Sequence, residues 1–66
     1  MQITLNGKTH LLDNACTVAA LVESLGINAT QVAIEKNQVI VPRARWSAEP
    51  LAEGDRVEVV RFIGGG

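Results

Sequence analysis

Gly64, Gly65 and Gly66 close the chain after Phe62-Ile63, and they would set a carboxylate at the tip of a segment that carries no side chains. Without a Cβ, glycine enters left- and right-handed conformations alike, so such a run is a thread that fits channels closed to other sequences. Fully extended, it reaches roughly 10 Å, at ~3.3–3.6 Å per residue. The chemistry this suits is acyl chemistry on the Gly66 carboxylate, performed inside another protein's active site. An ordinary frayed chain end is the competing reading of the same residues. The remaining titratable groups suggest no site of their own. His10 falls on a strand pattern with no second histidine in the chain, and Cys16 is the only cysteine. One sulfur makes no zinc cluster, so metal binding is not expected, and no Ser-His-Asp spacing points to an independent enzyme.

Composition narrows the classes further. A chain of 66 residues is one domain, too small to hold both a core and a deep catalytic cleft. An apolar fraction of 47% is enough for a core without disulfides or metal. A formal charge of −1 and a pI near 5.6 provide no basic field for phosphates, and one Trp with one Phe makes no stacking platform for bases. Nucleic acid is therefore not expected as a partner. No apolar run reaches the length of a membrane span or resembles a signal peptide. The unpaired Cys16 suits a reducing, cytoplasmic setting.

The elements that would carry the tail follow from local pattern. Met1 to Leu5 alternates, with Ile3 and Leu5 on one face, and Asn6-Gly7 predicts a type I′ hairpin turn into a strand from Lys8 to Leu12. Asp13-Asn14 ends that strand. Thr17 is an N-cap for a helix that starts near Val18, where Val18, Leu21, Val22 and Leu25 draw one apolar stripe and Gly26 stops it. Cys16 and Leu21 have the spacing of a hydrophobic staple. Asn28-Ala29-Thr30 is a loop. Val32 to Glu35 predicts a third strand, Lys36-Asn37 a turn, and Gln38 to Val41 a fourth strand that Pro42 stops. Arg43 to Trp46 predicts a single helical turn, with Trp46 closing one end of the core. After a turn at Glu53-Gly54-Asp55, Arg56 to Phe62 is the longest strand pattern. With the first strand parallel to the last and the helix as crossover cover, the class is α+β, a β-grasp of about five strands in a mixed sheet with one helix on one face. The expected division is a body over 1–63 and a flexible glycine tail over 64–66.

Ala33-Ile34-Glu35-Lys36-Asn37-Gln38-Val39-Ile40-Val41-Pro42-Arg43, then Trp46, then Leu51-Ala52-Glu53-Gly54-Asp55, then Gly65-Gly66, together resemble the ThiS family of thiamine-pathway sulfur carriers. The likeness covers essentially the full length. It implies a ubiquitin-like fold and a carrier in place of a catalyst. Gly66 would be adenylated by an ATP-dependent ThiF-type enzyme, converted to a thiocarboxylate with sulfur from a cysteine persulfide, and used by the thiazole synthase ThiG. No cofactor would be bound, and ATP would be consumed by the activating enzyme. The related small subunit of molybdopterin synthase usually has prolines shortly before its terminal glycines; Val59-Val60-Arg61-Phe62 stands there in this chain, which favours the thiamine branch. Gly64 departs from many family members and should loosen the tail.

Ordering three glycines costs ~1–2 kcal/mol each in backbone entropy, so the body should also contact its enzymes. Val60, Phe62 and Ile63 are the expected apolar contacts, next to Gly64 and Gly65, and Arg61 is expected to pair with acidic groups of a partner. Core packing is the alternative for Val60 and Phe62, while Arg43 and Arg45 are expected on a solvated face. On its own the chain is expected to be a monomer. A ubiquitin-like modifier joined through Gly66 to lysines, and a plain interaction module, are the competing functions.

Overall fold

Two left-handed residues, Asn6 (φ 50°) and Gly7 (φ 81°), make the tight turn that joins β1 (Gln2–Leu5) to β2 (Lys8–Leu11) as an antiparallel hairpin. A type I′ turn requires this conformation at both central positions, and its twist matches that of the strands. The computed structural model describes residues 1–62; the expectations placed on Ile63, Gly64, Gly65 and Gly66 lie outside the described residues.

The helix α1 (Val18–Ser24) begins where Thr17, in extended conformation, accepts the Ala20 N–H on its side-chain oxygen at 3.2 Å. Gly26, at φ 68°, ends it in the left-handed conformation expected just past a helix. Seven residues are too few for a helix that stands alone. Packing holds it instead. Val18, Leu21 and Val22 are buried, the Val18 N–H donates to the Glu49 carbonyl, and the Leu51 N–H donates to the Cys16 carbonyl. Cys16 is half-buried against the same core.

The sheet runs β2-β1-β5-β3-β4, with β3 at Val32–Lys36, β4 at Val39–Val41 and β5 at Arg56–Arg61. β1 lies parallel to β5, and β3 antiparallel to both β5 and β4. This is the β-grasp arrangement expected from the sequence. Ile3, Ile34 and Val57 from the sheet meet Val18 and Leu21 from the helix, each at 0–1% exposure. Trp46 closes one end of this core, and its indole N–H donates to the Val41 carbonyl at 2.9 Å.

The connections depart from expectation in detail. Asn28 caps a short 3₁₀ turn over Ala29–Gln31 where only a loop was expected, and the turn after Pro42 extends as 3₁₀ helix from Arg43 to Ala48. The β3–β4 turn lies at Asn37-Gln38, one residue later than expected, because Lys36 keeps its strand pairing with Val57. Both turn residues are left-handed, at φ 52° and 70°. Asn tolerates that region; Gln carries no turn signal, which hid the register.

Asn37 also fixes where β5 starts. Its side-chain oxygen accepts the Arg56 N–H at 2.9 Å and its amide donates to Asp55 Oδ1 at 3.0 Å, while Asp55 Oδ2 accepts the Ala52 N–H at 2.8 Å. Asn37→Ala is expected to cost about 2–4 kcal/mol, from lost hydrogen bonds and a left-handed alanine. Asn37→Gly should recover about 1 kcal/mol of that, since only the backbone strain is relieved. Urea unfolding of the two variants checks both figures, and equal losses would show that the backbone conformation carries no cost.

Lys36 ties β3 to the segment before β5, with its ammonium 2.6 Å from Glu49 and 3.1 Å from the Pro50 carbonyl. The Lys36 hydrogen bond holds the Glu49 carboxyl below its ordinary range. At Asp55 partial burial pushes the carboxyl up, but hydrogen bonds from Asn37 and the Ala52 N–H outweigh it, and the net shift is downward. A carboxyl whose pKa is lowered by folding stabilises the fold above its unfolded value and loses that contribution as pH falls through its folded value. Stability should therefore hold steady from neutrality to the ordinary values of 4.5 and 3.8 and then decline. Urea midpoints across that acid range for the native chain, Glu49→Gln and Asp55→Asn are the check, and each variant should show a shallower decline.

Candidate functional site

β5 is the strand that leads toward Gly66, and its alternation decides what surrounds that exit. Arg56-Val57-Glu58-Val59 sets the phase, with Val57 buried and Val59 half-buried toward α1. Val60 then falls on the open face of the sheet, and the alternation carries Phe62 to the same side. They are 46% and 58% exposed. Neither is a core residue, so the core alternative for this pair is set aside: the helix covers the other face.

Neighbouring strands extend the patch. Val60 is the cross-strand partner of Ala33, and Ile40, 64% exposed, is the partner of Glu35 two residues further along β3. Phe62, Ala33 and Ile40 also line a shallow groove of about 240 Å³ that reaches Pro42 and Trp46 at the end of the sheet. Ile40 and Val39 belong to the short fourth strand expected from Gln38 to Val41, for which the sequence pattern assigns no face. In a three-residue edge strand only Val41 reaches the core. Beside the patch Glu35 and Glu58 face each other as direct partners. Like charges in that position oppose pairing. The open face thus presents apolar surface with an acidic border close to the end of β5.

Arg61 separates from this group. Its cross-strand partner is the buried Val32, so it belongs to the helix side, where it lines a groove of about 530 Å³ with Leu5, Asn6, Leu25, Ile27 and Val59. The expected contact residues Val60, Arg61 and Phe62 therefore divide between two surfaces. Asn6, not anticipated as anything but a turn former, belongs to this second surface: its side-chain oxygen accepts the Val59 N–H at 2.8 Å.

Elsewhere the described residues assemble no catalytic constellation. None of their polar or charged side chains is buried, no three His, Cys, Asp or Glu side chains converge, and no helix is long and apolar enough to cross a membrane. His10 lies on β2 opposite Ile3. Arg43 is exposed, and Arg45 is exposed with its guanidinium 3.7 Å from Glu49. The two carboxyls with lowered pKa, Glu49 and Asp55, hold loops together on the surface.

A five-stranded mixed sheet in the order β2-β1-β5-β3-β4 with one short helix on one face defines a ubiquitin-like β-grasp protein. Residues 2–66 match the ThiS family, and the chain belongs to it. It is 33% identical to the sulfur carrier protein ThiS of Escherichia coli over the whole of both chains. A crystal structure of the thiamine biosynthesis protein ThiS from Geobacter metallireducens superposes with a TM-score of 0.88, at 33% identity and with full coverage of both chains. The chain is also 42% identical, over 66 residues, to part of the thiazole synthase of Magnetococcus marinus. It spans 20% of the length of the thiazole synthases it matches.

If Val60 and Phe62 serve a surface and not the core, replacing them should leave folding intact. Val60→Ser and Phe62→Ser are expected to change stability by no more than about 0.5 kcal/mol, against about 2–5 kcal/mol for Ile34→Ala in the core. Chemical denaturation of the three variants decides whether the patch is structural.

Proposed function

We propose that the chain is the sulfur carrier for assembly of the thiazole moiety of thiamine, with the Gly66 carboxyl as the reacting group. The observation that carries this reading is the family match over residues 2–66, which includes the glycine run. The identity with Escherichia coli ThiS over both full lengths supports it. The chain acts as co-substrate and not as catalyst.

A carboxylate is a poor acyl donor. Transfer of the AMP group of ATP to the Gly66 carboxylate, with release of pyrophosphate, gives it a good leaving group. The terminal sulfur of a cysteine persulfide then displaces AMP to give an acyl disulfide, and a thiol cleaves its S–S bond to leave the thiocarboxylate. A ThiF-type adenylyltransferase consumes the ATP, and the thiazole synthase ThiG takes the sulfur. Glycine at the reacting position leaves the acyl carbon open in enclosed sites that exclude water.

The body's part is to dock. Val60 and Phe62, with Ala33 and Ile40, present an apolar face to the activating enzyme, and the Glu35–Glu58 border favours cations on that partner. Gly64 and Gly65 enter the enzyme's channel with Ile63 at its mouth. The reaction runs in the cytoplasm, with the carrier monomeric between encounters.

Incubation with a ThiF-type enzyme, ATP and a persulfide donor, followed by intact-mass measurement, should show one oxygen replaced by sulfur. Adducts on lysines would instead mark a protein modifier, and an unchanged mass an interaction module. Deletion of Gly66 should abolish thiazole formation altogether. The Val60→Ser/Phe62→Ser double variant should keep its fold and lower kcat/KM for adenylation on the order of tenfold, a loss of about 1.4 kcal/mol.

A further inference from the structure

β5 is paired along only part of one edge. The Phe62 N–H donates to the Gln31 carbonyl and the Asn37 N–H to the Arg56 carbonyl. In an antiparallel ladder with this register, the backbone groups of Val57, Val59 and Arg61 point away from β3, toward the row occupied by β1. That row is short. β1 pairs with β5 only as far as Leu5 and Val57, the Asn6 N–H donates to the Val57 carbonyl, and the Asn6 side chain takes the Val59 N–H. Among the described residues nothing bonds the Val59 carbonyl or the Arg61 N–H.

We propose that this open stretch of β5, the Val59 carbonyl and the Arg61 N–H beyond the hairpin tip, receives an extended segment of thiazole synthase as an added strand. The inference rests on the sulfur-carrier reading. One residue of that segment, placed in the β1 row and running parallel to β5, bonds both groups: its N–H donates to the Val59 carbonyl and its carbonyl accepts from Arg61. This is the evenly spaced pattern of a parallel pair, and it is a recognised way for an edge to capture a peptide.

The occupant follows from three features. Gly66 lies four residues beyond Phe62 and can reach only ~14 Å from it, so a synthase that encloses Gly66 must lie against the end of β5. The groove beside this edge, with Leu5, Leu25, Ile27 and Val59 in its lining, gives an apolar side chain of the added strand a place to bury. The charged residue in the lining is Arg61, and Lys8, opposite Leu5 in the hairpin, adds a second cation on that side of the sheet. The segment therefore carries a carboxylate next to its apolar residue. Proteins named thiazole synthase hold a segment similar to this chain within their own length, so the two units work at close quarters there.

The test uses the whole chain and a purified thiazole synthase that lacks any ThiS-like segment. Amide hydrogen exchange read by NMR should show Arg61 slowed at least ~10-fold in the complex, with Val60, paired with Ala33 of β3, and Phe62, already bonded to the Gln31 carbonyl, little changed. Arg61→Pro removes the outward N–H but leaves the β3 ladder intact, because proline is tolerated where the N–H faces outward from an edge. It should bind on the order of tenfold more weakly than Arg61→Ala, which keeps that N–H. An Arg61 amide that exchanges as fast in the complex as in the free chain, equal affinities for the two variants, or no complex at all overturns the proposal. Sulfur loading is scored on the native chain by intact mass. Loading without Arg61 protection overturns the edge and leaves the carrier reading, and protection without loading does the reverse.

Discussion

The position of β5 between β1 and β3 is the constraint on which the rest of the molecule depends. A strand bonded on both edges cannot shift register without breaking two ladders, so its start is fixed to the residue by Thr4, Leu5 and the Asn37 clasp. The strand then loses one of its two neighbours while it is still running. Its first half is scaffold. Beyond the Val59 N–H, which the Asn6 side chain takes, the end of β5 at Val60 and Arg61 is held on the β3 side alone, and that is where the surface features accumulate. The same strand thereby gives a rigid origin to whatever follows it and leaves backbone and side chains free to be met by another protein.

A domain of this size can cover only one face of its sheet. The ten buried apolar residues among those described all contribute to a single cluster between the sheet and α1, with Trp46 and Leu51 closing it where the helix is too short to do so. The other face is left to its own side chains. Gln2, Thr4, Thr9, Glu35 and Glu58 occupy part of it, Leu11 stands exposed at the β2 edge, and Ala33, Ile40, Val60 and Phe62 gather near the end of β5. Large exposed hydrophobics scattered singly need no explanation, whereas a contiguous group such as Ala33, Ile40, Val60 and Phe62 does. Its position beside the exit of the last strand connects it to docking better than to folding.

Much of this was legible in the sequence, because the strongest local signals are tied to single residues whose physics admits few alternatives. Asn6-Gly7, Thr17 and the Val18-Leu21-Val22-Leu25 stripe each fix one element, and the parallel placement of β1 beside β5 follows from having one helix between them. What escaped was of a different kind. Gln38 in a left-handed conformation leaves no trace in composition, since tertiary pairing of Lys36 imposes it. Val60 and Phe62 were readable only by carrying the phase of Arg56-Val57-Glu58-Val59 forward; the adjacent Val59 and Val60 look equally buried until one face is known to be bare. The division of Arg61 from Val60 and Phe62 needed that same phase. The glycines proposed to carry the chemistry lie outside the described residues, so their part rests on the family and not on geometry.

Asn6 has two functions that pull on the same residue. As the first position of a type I′ turn it accepts a left-handed conformation at little cost, and aspartate or glycine would do as much. As the acceptor for the Val59 N–H it stands in for the next residue of β1, which the turn has removed from the row. Glycine has no side chain to offer, and its use there would leave the Val59 N–H without its partner. A hairpin longer by two residues would supply backbone partners for that strand but would also cover Arg61 and fill the groove at Leu25 and Ile27. The tight turn with an asparagine is thus the arrangement that satisfies β5 as far as Val59 and stops there, which is what an edge must do if it is to stay folded alone and still accept a neighbour.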